Sequence, residues 1–221
     1  MTVGVKVCGL TRVEDAQHAE RSGAAWLGAI MAGGPRLLTA AQARHVLGPR
    51  RQGVQRVVVF GAQSVEEVVD TVQALELDVA QLHGDCTPAT IEEVRRRTGA
   101  AVWPVLRVSG VTLPVGAQEL AAAAGQIVLD AHVVGQLGGT GVALDWSGLR
   151  ESVADLRDVV PGVRVILAGG LRPENIGLAC RLLAPDVVDV SSGVESAPGV
   201  KDPVRVEQFV AAARAAAGMS A

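Results

Sequence analysis

The stretch GVKVCGLT, residues 4–11, ends an apolar run with a thiol, Cys8, and leaves it through Gly9, Leu10 and Thr11. An open, doubly wound sheet often carries a G-x-G-x-x-G turn after its first strand. The C-G-L-T turn lacks that signature, which counts against the open sheet. Strand side chains alternate faces, so Val3, Val5 and Val7 point one way and Lys6 and Cys8 the other. The apolar face suits a strand packed under helices. The face with an ammonium and a thiol needs another reason.

Seven further apolar, β-branched runs follow at intervals of roughly 20 to 30 residues. They are AAWLGAIMA (24–32), QRVVVFG (55–61), DVAQLHG (78–84), AVWPVLRV (101–108), QIVLDA (126–131), RVILAGG (164–170) and VVDVSSG (187–193). Each of the eight is followed by an amphipathic segment: 12–23, 39–48, 64–77, 87–99, 117–125, 145–160, 172–184 and 203–218. Thr39 is placed as an N-cap, Ser64 and Glu67 as a capping box, and Pro88 at a first helical position. No linker or low-complexity block interrupts the alternation. Eight βα units of this size predict a single (β/α)8 barrel over residues 1–221, with its chemistry at the C-terminal ends of the strands.

Composition narrows the function. The 221 residues are 49% hydrophobic and 19% charged, which fits a large packed core. A net charge of −3 and the absence of Tyr speak against a nucleic-acid partner. Three scattered cysteines suit a reducing compartment. Neither a signal peptide nor a membrane span is expected, since Lys6 and Arg12 break the first apolar run. The expected setting is the cytoplasm. Only Lys6 and Lys201 are lysines among 20 basic residues, a bias consistent with ammonium groups kept where they matter.

Polar residues collect where the runs stop. Cys8 ends the first and Asp130 the sixth, so both can face one cavity as base and acid. A nearby cation lowers a thiol's pKa, and Lys6 shares the strand face of Cys8. Taken alone, Cys8 also fits a small buried hydrophobe, and Asp130 a structural carboxylate. LAGGLRPENI (167–176) and VDVSSGVE (188–195) carry glycines at the seventh and eighth strand ends, the usual phosphate position of a barrel. Gly138–Gly141 is a third glycine-rich loop, either a lid, a phosphate contact or a plain turn. His83 reads as a hydrogen-bonding rim histidine placed for substrate. No second His stands at metal-ligand spacing, so no metal is expected. Cys86 and Cys180 read as chemically silent.

KVCGLT, GPR, QLHGD, GGTG followed by DW, LAGGLRPENI and VDVSSGVESAPGVKD, in this order over essentially the whole chain, resemble the phosphoribosylanthranilate isomerase family. The resemblance implies an Amadori rearrangement in tryptophan biosynthesis, with no cofactor. The partner is a small phosphosugar–anthranilate substrate, and the enzyme a monomer or homodimer. It assigns Asp130 as general acid, Cys8 as thiolate base and Arg36 as the holder of the anthranilate carboxylate. Gly169, Gly170, Asp189, Ser192 and Gly193 match its phosphate region. Lys6 is expected to favour the ionised form of Cys8 and, with Arg36 and His83, to belong to the substrate-binding residues. The chain departs from the family at Gly34, often serine, at Cys86, commonly glutamate, and at Gly61–Ala62, often a small residue then Asn or Asp. A related phosphosugar isomerase with a shifted substrate, or a silent phosphate-binding homologue, are the alternative readings.

Overall fold

Valine-rich runs of four to eight residues, too short and too β-branched for helices, form the strands. The computed structural model describes residues 3–131 and 144–218, and Gly138–Gly141 lies outside the described residues. The strands are β1 (Gly4–Val7), β2 (Trp26–Ile30), β3 (Gln55–Phe60), β4 (Val79–Leu82), β5 (Ala101–Val108), β6 (Gln126–Ala131), β7 (Arg164–Leu167) and β8 (Val187–Val190). They pair in parallel in sequence order, and β8 returns to β1 to close the barrel. The expected (β/α)8 architecture is the one observed.

The helices are α1 (Val13–Ser22), α2 (Ala40–Leu47), α3 (Val65–Leu75), α4 (Pro88–Thr98), α5 (Ala117–Ala124), α6 (Trp146–Val159), α7 (Ile176–Leu183) and α8 (Pro203–Gly218). Thr39 and Ser64 each close a capping box, with Gln42 and Glu67. Thr87 caps α4 ahead of Pro88. One boundary differs from expectation. Residues 172–175 do not open α7, because Asn175 folds them into a turn. Its side-chain oxygen accepts from the Arg172 N–H at 2.8 Å, and its amide donates to the Gly170 carbonyl at 2.9 Å. Asx side chains offer the backbone such an alternative to helix.

A further element was not expected. After β8, a 3-10 turn (Ser192–Val194) leads into a small antiparallel hairpin, β9 (Glu195–Ala197) and β10 (Val200–Lys201). Strands of three and two residues leave no periodicity to read.

The pleat sorts the core into two shells. Val5, Val7, Leu27, Phe60 and Leu129 face outward and pack under the helices. Val57, Val79, Trp103, Val128, Ile166 and Val187 face the barrel axis and fill its interior. At the N-terminal end, Trp26 packs against Trp103 with ring centres 5.8 Å apart, and the Arg164 guanidinium lies 5.8 Å from the Trp26 ring centre. This plug makes the barrel a packed core at one end and leaves the other for a site. Among the described residues no helix is long and apolar enough to cross a membrane.

Candidate active site

Moving two residues toward the C-terminal end keeps the strand face but changes its chemistry. On β4 the inward residue passes from Val79 to Gln81, and on β8 from Val187 to Asp189. On β6, Val128 is followed by Asp130. These polar groups floor a cavity of about 520 Å3 at the C-terminal ends of the strands. Cys8, Arg36, His83, Asp130, Gly169, Gly170, Asp189, Ser192 and Gly193 all line it.

Lys6 does not reach that wall. It is fully buried, and its ammonium donates to Oδ2 of Asp189 at 2.6 Å. The register makes this pair inevitable, since Lys6 on β1 sits opposite Asp189 on β8. Lys6, expected among the substrate-binding residues, lies beneath the cavity floor and does not line it. Asp189, expected in the phosphate region, lines the same cavity as Gly169, Gly170, Ser192 and Gly193, with its Oδ2 paired to Lys6. The other oxygen of Asp189, the Gln81 side-chain carbonyl and the Ser191 hydroxyl are buried with no hydrogen-bond partner among the described residues.

Cys8 is 5% exposed. Its thiol fits because β2 has Gly28 alongside: a Cβ there would stand 2.9 Å from the Cys8 sulphur and 3.2 Å from Cε of Lys6. Burial pushes the thiol above its usual range, Lys6 opposes this, and Asp189 adds to the rise. Lys6 therefore acts in the expected direction without prevailing, because burial of a thiolate costs more than one paired ammonium returns. For Lys6 itself, burial disfavours the charge, but Asp189 and Cys8 together outweigh it and hold its pKa up.

Asp130 shows the same physics in a carboxyl. Burial first, then the Asp189 charge, raise its pKa to about 6, while a hydrogen bond from the Ala131 N–H at 2.9 Å works the other way. His83 lies beside it, Nε2 3.8 Å from Oδ2. Burial, then Arg107 and Lys6, lower the His83 pKa to about 4, so the ring is neutral at pH 7. Gly169 lets the seventh strand end come close, since a Cβ there would be 2.9 Å from Oδ1 of Asp130.

Arg36 reaches the cavity from the loop after β2 but is already engaged. Its Nε and Nη2 donate to the two oxygens of Glu195 at 2.7 and 2.6 Å. Glu195 also accepts from the Lys201 ammonium at 2.8 Å. Neither Glu195 nor Lys201 was singled out as a site residue in the sequence, although the scarcity of lysine pointed at Lys201. Gly34 turns at φ 81° with open space beside it, so this departure removes a side chain and crowds nothing. Burial raises the pKa of Cys86 and of Cys180 to about 11, and both thiols stay protonated at neutral pH. Among the described residues no group of three or more His, Cys, Asp or Glu is placed to hold a metal.

A closed barrel with its acid, thiol and guanidinium gathered at the C-terminal rim defines a (β/α)8-barrel enzyme. A family model described as N-(5'-phosphoribosyl)anthranilate isomerase matches residues 5–212. The isomerase of Pseudomonas putida strain F1 is 39% identical over 96% of this chain and 97% of its own length. That of Cereibacter sphaeroides is 40% identical over 96% and 99%. The crystal structure of the Thermus thermophilus isomerase superposes with a TM-score of 0.81 at 36% identity, covering 95% of this chain and 98% of that one. A further isomerase structure, at 30% identity, TM-score 0.78 and coverage of 97% and 100%, is a complex with reduced 1-(o-carboxyphenylamino)-1-deoxyribulose 5-phosphate. The chain belongs to the N-(5'-phosphoribosyl)anthranilate isomerase family, whose reaction is a step of tryptophan biosynthesis.

Proposed function

We propose that the chain isomerises N-(5'-phosphoribosyl)anthranilate by general acid–base catalysis, with Asp130 as the acid and Cys8 as the base. The observation that carries this is the placement of a carboxyl with a pKa near 6 and a buried thiol on one cavity. A carboxylic acid that keeps its proton to about pH 6 can donate it to the furanose ring oxygen. The C1–O bond then breaks, the anthranilate nitrogen supplies the electron pair, and an open-chain iminium forms. That iminium acidifies the C2–H bond. Cys8 as thiolate takes this proton and the electrons flow to nitrogen, giving an enolamine that tautomerises to the ketone. Burial that makes the thiolate costly to form also makes it a stronger base, and the Lys6 ammonium reduces the cost of forming it.

Substrate placement follows from the rim. Arg36 receives the anthranilate carboxylate through a planar two-donor edge. Gly169, Gly170, Ser192 and Gly193, at the ends of β7 and β8, receive the phosphate. His83, neutral and beside Asp130, is a hydrogen-bond donor or acceptor toward the sugar. The cytoplasm is the setting supported by three free cysteines.

The test is the fluorescence decay of freshly made phosphoribosylanthranilate. Wild type accelerates the decay, and Asp130→Val and Cys8→Ser each lower the rate about 10²- to 10⁴-fold with folding intact. A folded wild type with no effect on the decay overturns the assignment. Activity that survives either substitution overturns the role given to that residue.

A further inference from the structure

Arg36 is the group assigned to a substrate carboxylate, yet it already holds another one. Glu195 takes the edge made by Nε and Nη2. A guanidinium has five N–H donors in a fixed fork, so among the described residues the end formed by Nη1 and Nη2 remains as a second two-donor edge. Glu195 thus fixes which edge a ligand meets. The arginine stem is held as well: a Cβ at Gly9 would lie 2.5 Å from Cδ of Arg36, so the stem runs through space that only glycine leaves.

Orientation alone does not attract an anion. An arginine paired with a glutamate is neutral as a unit and draws a third, negative group weakly. Lys201 changes the sum. Its ammonium donates to Oε1 of Glu195 at 2.8 Å and to the Ser191 carbonyl at 3.1 Å. The side chains of Arg36, Glu195 and Lys201 are 10%, 5% and 2% exposed. Two cations and one anion leave one positive charge almost out of water, and an unbalanced buried charge is costly. One bound carboxylate balances it.

We propose that Lys201, acting through Glu195, is a positioning and specificity-determining residue: it supplies the surplus charge that makes Arg36 select a substrate with a carboxylate on its aromatic ring. This rests on the reading that Arg36 takes that carboxylate. It also gives the hairpin a purpose, since β9 begins with Glu195 and β10 ends with Lys201. The hairpin sets both groups against an arginine more than 150 positions away in the chain.

The experiment is titration calorimetry with two ligands on the full chain. One is reduced 1-(o-carboxyphenylamino)-1-deoxyribulose 5-phosphate, and the other is the same molecule with phenyl in place of carboxyphenyl. Wild type prefers the carboxylated ligand. Lys201→Met and Lys201→Gln narrow that preference by about tenfold or more, and Lys201→Arg, which keeps the charge, retains most of it. Both ligands carry the phosphate, so an equal loss for the two overturns the proposal. Arg36→Met separates the layers of the argument. If it leaves the preference intact, the carboxylate reading of Arg36 fails. If it abolishes the preference while both neutral Lys201 variants keep it, the role of Arg36 stands and that of Lys201 fails.

Discussion

The barrel interior holds two layers that share strands β4, β6 and β8 and differ in almost everything else. The lower layer, with Val57, Val79, Trp103, Val128, Ile166 and Val187, is apolar and capped by Trp26. The upper layer holds Lys6, Cys8, Gln81, His83, Asp130 and Asp189, all under 9% exposed. Burial is nearly equal in both. Its consequence is opposite, because burying apolar surface is favourable and burying charge is not. In the lower layer burial stabilises the fold. In the upper one it forces a pairing, as at Lys6, or moves a protonation state, as at Asp130 and Cys8. A two-residue step along a strand separates scaffold from chemistry.

Breaking the pairing in the upper layer gives the largest expected effect. Lys6→Met leaves Asp189 buried without its cation and costs about 3–5 kcal/mol, read by denaturant unfolding. A loss within 1 kcal/mol would mean that the pair is screened despite its burial. Next comes Asp130, whose folded-state pKa of about 6 stands above its ordinary 3.8. The folded chain therefore holds this proton more tightly than the unfolded one. The favourable contribution is fully present below about pH 4 and is lost as pH rises through about 6. Asp130→Asn removes this dependence and gains up to about 3 kcal/mol relative to wild type at pH 8 over pH 4. A relative stability that does not change with pH would place the carboxyl in a wetter setting.

Gly28→Ala sharpens the same comparison through space. The added methyl crowds the Cys8 sulphur, and a roughly tenfold fall in kcat/KM is expected, with the loss in kcat more than in KM. The smallest effect belongs to the lower layer. Ile166→Val removes one methylene, lowers stability by about 1 kcal/mol and leaves the isomerase kinetics unchanged. A kinetic effect there would show that the two layers are mechanically coupled.

The architecture was legible because it is written locally. Alternating valines, capping residues such as Thr39 and Ser64, and helix-ending glycines such as Gly23 each act over a few residues. All eight βα units follow from them, and the positions of Cys8 and Asp130 at strand ends, and of Arg36 in the loop after β2, follow from the units. What the sequence concealed depends on residues far apart. Lys6 meets Asp189 across 183 positions, and Arg36 meets Glu195 across 159. No spacing rule links such partners. Asp189 lay in a glycine-rich, phosphate-like stretch, and its commitment to Lys6 emerged only with the register of β1 on β8. The thiol's raised pKa was hidden for the same reason, since burial is set by the closed barrel and not by neighbours in sequence.

The Lys6–Asp189 pair stands on the ladder where the first strand meets the last. A one-residue slip there would turn Lys6 outward among the aliphatic residues beneath the helices. A two-residue slip would set its ammonium against Val187 or Ser191 instead of a carboxylate. The pair therefore acts as a latch that accepts one alignment of the seam, and a chain that has found the lowest-energy way to close has, by that act, assembled the floor of the cavity at its rim.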